Sequence, residues 1–72
     1  MPLPQHRRIL GETIRTYRKQ AAISQETLAE KAELSPKYVG EVERGIVNIS
    51  VDALARIAKA FRIRINDLTR GF

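Results

Sequence analysis

The stretch whose reading decides the fold runs from Gln25 to Arg44, QETLAEKAELSPKYVGEVER. It follows Ser24, whose hydroxyl can accept a hydrogen bond from an early helix amide, and Glu26 puts negative charge at the positive end of that helix. Leu28, Ala29 and Ala32 then recur at the spacing of one helical face. Ser35-Pro36 is the strongest start signal in the chain, because serine caps one orphan amide and proline at the first helical position removes another. Val39 and Val42 form the buried side of this helix, and Gly45 ends it by accepting a positive φ without a side-chain clash. The pattern predicts helices of roughly eight and ten residues joined by a tight turn, Ala32-Glu33-Leu34. Ala29 lets the two helices approach, while Leu28, Leu34, Val39 and Val42 hold them together. Pro36, Lys37, Tyr38, Glu41 and Arg44 remain, and they cannot all face a core. They form an outward surface rich in hydrogen-bonding groups.

The flanking sequence supplies the rest of a bundle. From about Arg8, apolar residues fall at Leu10, Ile14 and Tyr17, the spacing of one face of a helix that runs to about Ala21. Downstream, Ser50-Val51-Asp52 opens a fourth helix with Leu54, Ile57, Ala58 and Phe61 inward. A last short helix around Asn66 to Arg70 packs Ile65 and Leu68. No alternating strand pattern and no internal repeat is present, so the fold class is all-α: five short helices in one domain covering 8–72. Residues 1–7 are expected to form a flexible basic arm, because Pro2 and Pro4 oppose helix before His6, Arg7 and Arg8 bring positive charge. Such an arm either frays or reaches DNA.

Composition narrows the function. Thirteen Lys and Arg against eight Asp and Glu give a net charge of +5 and a sequence pI near 10.3, which suits a polyanionic partner. A 72-residue chain buries only ~60% of its unfolded surface, and with no cysteine it has neither disulfides nor a thiolate metal site to support its core. No cofactor and no metal are expected. His6, the lone histidine, lies in the arm, and there is no phosphate-binding glycine loop, so nothing suggests an enzyme. No apolar run approaches the ~20 residues of a membrane span, and MPLPQHRR lacks the apolar stretch of a secretory signal, which predicts a cytoplasmic protein. Membrane-surface binding is disfavoured, because the apolar stripes are needed for the core.

The segment ISQETLAEKAELSPKYVGEVERG resembles the helix-turn-helix of the Cro/lambda-repressor (Xre-like) family of bacterial and phage regulators. The likeness extends from LGETIRTYRK through ISVDALARIAKAF to INDL, nearly the whole chain. It implies a lambda-repressor-like bundle that docks the start of its third helix in the major groove of double-stranded DNA. Base reading then falls to Pro36, Lys37, Tyr38 and Glu41: lysine can donate to guanine, glutamate can accept from cytosine, and tyrosine offers a ring edge and a hydroxyl. Competing readings stand beside two of these, partial packing for Tyr38 and a merely tolerated charge for Glu41. Gln25 and Arg44 match positions that hold phosphate, Gln25 with help from the exposed amides of its helix. Arg18 continues the Leu10–Ile14 stripe and Glu43 lies four residues beyond Val39, so both point towards the core. The resemblance pairs these two as an internal ion pair.

Where the family usually puts glycine, after the first, second and fourth helices, this chain has Ala22, Glu33 and Arg62. Either these turns close differently or each carries left-handed strain of ~1 kcal/mol or more. Arg64 stands where a serine-like cap would open the last helix. The loop Ile46-Val47-Asn48-Ile49 lacks the basic residues the family often has there, so it makes fewer phosphate contacts; Ile49 is expected to pack inward, with Ile46 and Val47 open. One such unit reads few bases, which calls for a homodimer on a two-fold site with half-sites ~34 Å apart. Ile63, Ile65, Leu68 and Phe72 are the candidate interface. The expected role is a repressor or autoregulator, with an antitoxin or adaptor-type protein-interaction module as the rival use of the same fold.

Overall fold

Each of the three middle helices begins where a serine hydroxyl takes over an amide that the helix cannot satisfy itself. Ser24, Ser35 and Ser50 accept from the backbone N–H of Thr27, Tyr38 and Ala53, each at 3.0 Å. The computed structural model describes residues 4–71, which form five helices: α1 Gln5–Gln20, α2 Gln25–Ala32, α3 Pro36–Glu43, α4 Val51–Phe61 and α5 Ile65–Thr69. Among the described residues there is no strand. At the start of α5 the missing serine is replaced from the other direction. Asp67 reaches back to accept the N–H of Arg64 at 2.9 Å and takes a second bond from Arg70 at 2.7 Å.

The first helix starts earlier than the sequence pattern predicts. Pro4 is its N-cap, and its carbonyl accepts from the N–H of Arg7 and Arg8 at 3.1 and 3.3 Å. A proline at this position has no N–H to leave orphaned, so the feature expected to oppose helix instead opens it. Gln5, His6 and Arg7 of the expected arm therefore belong to α1. Met1–Leu3, the rest of it, lie outside the described residues.

The helix ends share one device. After α1, α2, α3 and α4 the chain turns through a left-handed residue, Ala22, Glu33, Gly45 and Arg62, at φ 57°, 57°, 74° and 59°. At each end the next amide bonds back five residues: Ile23 to Arg18, Leu34 to Ala29, Ile46 to Glu41 and Ile63 to Ala58, at 2.8–3.2 Å. These are Schellman closures, and an apolar residue follows the left-handed one every time. Ile23, Leu34 and Ile63 pack against the core. The three non-glycine closures thus accept ~1–2 kcal/mol of strain each, and burial of the apolar residue behind them offsets it. Gly45 alone has no such latitude, since a β-carbon there would stand 3.3 Å from the Arg8 backbone.

Leu10, Ile14, Leu28, Ala29, Val39, Val42, Leu54, Ile57 and Leu68 build the centre of the core. Tyr17 and Phe61 close one side, their ring centroids 5.6 Å apart. α3 packs on α1 and α2, α4 packs on α2, and α5 fills the gap between α1 and α4. The approach of α1 to α3 is set by Gly11: a β-carbon there would fall 2.5 Å from the carbonyl oxygens of both Val42 and Glu43.

The two kinds of left-handed residue respond oppositely to substitution. Ala22→Gly relieves strain at an exposed turn and is expected to raise stability by about 0.5–1 kcal/mol after the entropy of glycine is counted. Gly45→Ala adds both strain and crowding and is expected to lower it by about 2 kcal/mol or more. Urea unfolding followed by circular dichroism checks both signs.

Candidate nucleic-acid interface

Helix α3 divides its side chains between two directions. Val39, Gly40, Val42 and Glu43 are buried, Pro36, Lys37 and Arg44 are exposed, and Tyr38 and Glu41 lie between. Residues 37, 41 and 44 recur at four and three, so they share one face directed away from the core. The Ser35 cap and Pro36 hold the first turn, which fixes where Lys37 leaves the helix. Tyr38 packs part of its ring against the core and lines a groove with Ser35, Ser50 and Arg56, so the packing reading of this residue applies to part of its surface.

Behind this face lies the internal pair. Arg18 Nε donates to Glu43 Oε2 at 2.7 Å and Nη2 to Oε1 at 3.1 Å, while Nη1 reaches the Ile23 carbonyl at 3.0 Å. The side chains are 13% and 2% exposed. The hydrogen bonding of Arg18 to Glu43 raises the Arg18 pKa above its ordinary value, burial opposes that rise, and the attraction of the carboxylate adds to it. A group whose pKa is raised contributes its stability below the unfolded value, so this contribution is present throughout the neutral and mildly alkaline range.

The sequence reading missed a third member. Gln25 Nε2 donates to Glu43 Oε1 at 3.0 Å, so the residue matched to phosphate binding is held by the ion pair beneath it. Its amide oxygen and second N–H keep their capacity for further bonds. Arg44 lies beside it: a Gly40 β-carbon would stand 3.4 Å from Arg44 Nη1 and 3.5 Å from Gln25 Oε1. The structure thus brings Gln25 and Arg44 together over Gly40, although one opens α2 and the other caps the end of α3. Two glycines inside helices, Gly11 and Gly40, were the available sequence signal, because glycine there costs ~1 kcal/mol relative to alanine; at Gly11 the close approach of the α3 backbone requires it, whereas at Gly40 a β-carbon would make ordinary contacts.

In the loop after α3, Val47 and Ile49 pack against the core, whereas Ile46 is 48% exposed and Val51, just beyond, 74%. Of the residues assigned to a dimer interface, Ile63 is half-buried and Ile65 is 37% exposed. Leu68 is a correction: it is 0% exposed, because the inward face of so short a helix is consumed by the domain's own core. Phe72 lies outside the described residues. Among the described residues, no cluster of three or more acidic or histidine side chains is placed to hold a metal, and no helix is long and apolar enough to cross a membrane.

A helix-turn-helix family model matches residues 14–68. The chain belongs to this family, the Xre-like helix-turn-helix proteins. It is 43% identical over 53 residues to an uncharacterised HTH-type transcriptional regulator of Mycobacterium tuberculosis, covering 74% of this chain and 38% of that protein. It therefore spans well under half the length of that relative. The crystal structure of the restriction-modification controller protein C.AhdI from Aeromonas hydrophila superposes with a TM-score of 0.85 at 37% identity, over 86% of this chain and 94% of that one. The P22 c2 repressor, solved in complex with a synthetic operator, superposes with a TM-score of 0.81 at 25% identity, over the full length of both.

The buried pair makes a specific prediction. Glu43→Ala alone strands the Arg18 guanidinium and is expected to cost about 3–5 kcal/mol, more than Arg18→Ala and Glu43→Ala together. Equal losses of melting temperature in the single and double variants refute this.

Proposed function

We propose that the chain is a sequence-specific DNA-binding transcriptional regulator, a repressor or autoregulator that binds a two-fold operator as a homodimer. The observation that carries this is the convergence of Gln25 and Arg44 over Gly40, beside an outward α3 face that presents Lys37 and Glu41. In this reading Gln25, the first-turn amides of α2 and Arg44 grip phosphates and set the register. Lys37 donates to guanine, Glu41 accepts from cytosine, Pro36 packs at the groove floor, and the exposed part of Tyr38 meets a base edge. The operator complex of the P22 c2 repressor, similar over its full length, supports the docking. A protein-interaction role is the second reading, favoured by the exposed apolar side chains Ile46 and Val51.

Selection of bound duplexes from a random pool tests the first reading. A single enriched motif is expected, with Lys37→Ala relaxing preference at one base position at a cost of about 1–3 kcal/mol. Arg44→Ala is expected to weaken all sequences alike and reduce the salt slope by about 0.9, whereas Gln25→Ala weakens them alike and leaves the slope intact. No enriched motif at moderate salt transfers the fold to the protein-interaction reading.

The homodimer rests on the exposed Ile65 and the half-buried Ile63 near it in sequence, together with the few bases one unit can reach. Sedimentation on an operator with half-sites ~34 Å apart is expected to give two protein chains per duplex, and Ile65→Glu to give one. One chain per duplex for the unmodified protein overturns the dimer and leaves base reading untouched.

A further inference from the structure

Between the start of α1 and the loop that leaves α3 there is a cavity of about 150 Å³. Leu10, Val42, Val47, Ile49 and Leu54 form its apolar walls. Arg7 lines it as well, and the Nε of Arg7 is buried with no hydrogen-bond partner among the described residues. His6 and Asn48, both exposed, stand at its mouth.

We propose that this cavity is a binding site for a small carboxylate whose apolar body is about the size of benzene. Size comes first, since a volume of about 150 Å³ is enough to accept a benzene-sized guest. Charge comes second. A buried guanidinium N–H without a partner keeps its full desolvation cost, and an ionised carboxylate is the acceptor that removes most of it. A purely apolar guest fills the walls and leaves the N–H unmet, while a bare anion satisfies the N–H and leaves the walls empty. Only a molecule with both parts answers both features. The Asn48 amide at the mouth offers a further donor to the same carboxylate.

The position gives such a ligand a structural consequence. Gly45 already packs its backbone on Arg7 and Arg8, and the cavity lies next to that contact, joining α1 to Val42, Val47 and Leu54. A ligand seated there ties the loop after α3 to α1 and touches none of Lys37, Glu41, Gln25 or Arg44. The inference stands independently of the DNA reading.

Methyl NMR of the full chain with three probes tests it: benzoate, benzyl alcohol with the ring and no charge, and acetate with the charge and no ring. Benzoate is expected to shift the methyls of Val42, Val47 and Leu54 saturably in the millimolar range, binding about tenfold or more tighter than either other probe. Arg7→Met is expected to lose the preference for benzoate over benzyl alcohol while still taking benzyl alcohol. Absence of saturable shifts at these methyls, equal binding of acetate and benzoate, or an undiminished preference in Arg7→Met overturns the proposal. If Arg7→Met does not fold, the ranking of the three probes on the unmodified chain decides it.

Discussion

The carboxylate of Glu43, at the last residue of α3, accepts from Arg18 on α1 and from Gln25 on α2, so three helices meet on two oxygen atoms. A charge this deeply buried is tolerable only because three donors converge on it, one oxygen taking a short bond from Nε and the other sharing Nη2 and the Gln25 amide. That convergence needs α1 to lie against the end of α3. Gly11 permits the approach, and it sits seven residues, two helical turns, before Arg18 on the same face. The orientation of the outward face is a consequence. With Val39, Val42 and Glu43 all committed inward, α3 has no rotational freedom, and Lys37 and Glu41 are directed to solvent by the same contacts that hold the core.

The helix ends show how a small domain tolerates local strain. Three left-handed residues without glycine cost ~1–2 kcal/mol each, a sizeable sum beside the marginal stability of a domain this size. Each turn returns an apolar residue, Ile23, Leu34 or Ile63, to the core, where burial is worth a comparable amount. The exposed left-handed residue is then free to be charged, as Glu33 and Arg62 are. Of the four left-handed positions glycine is kept only at Gly45, where a β-carbon would crowd the neighbouring backbone.

The five helices were legible because serine caps and three-and-four spacing are local signals, and the tertiary structure does not contradict them. The Arg18–Glu43 pair was legible in outline, through the stripe Arg18 shares with Ile14 and the resemblance to the family. Its third member was not. A glutamine at a helix start reads as polar and outward, and only the approach of α2 to α3 across Gly40 brings its amide to Glu43. Pro4 misled for a different reason: the same missing N–H that opposes helix in an interior suits the residue just before one. Leu68 misled because apolar spacing shows which residues share a face without showing what covers it.

Under the proposed reading, the apolar loop after α3 changes how binding is divided between grip and recognition. Ile46 to Ile49 contribute no cation, and Gln25 is neutral, so Arg44 is the charged member of the phosphate grip. Sequence-independent affinity scales with the number of phosphates neutralised, so a grip with few cations holds random DNA weakly. Weak grip does not reduce discrimination between base pairs, which comes from Lys37 and Glu41 at the groove floor. It does make one unit insufficient, and two joined units recover the lost affinity through effective concentration without strengthening either phosphate site. Under that reading a second copy compensates for the charge missing from the loop.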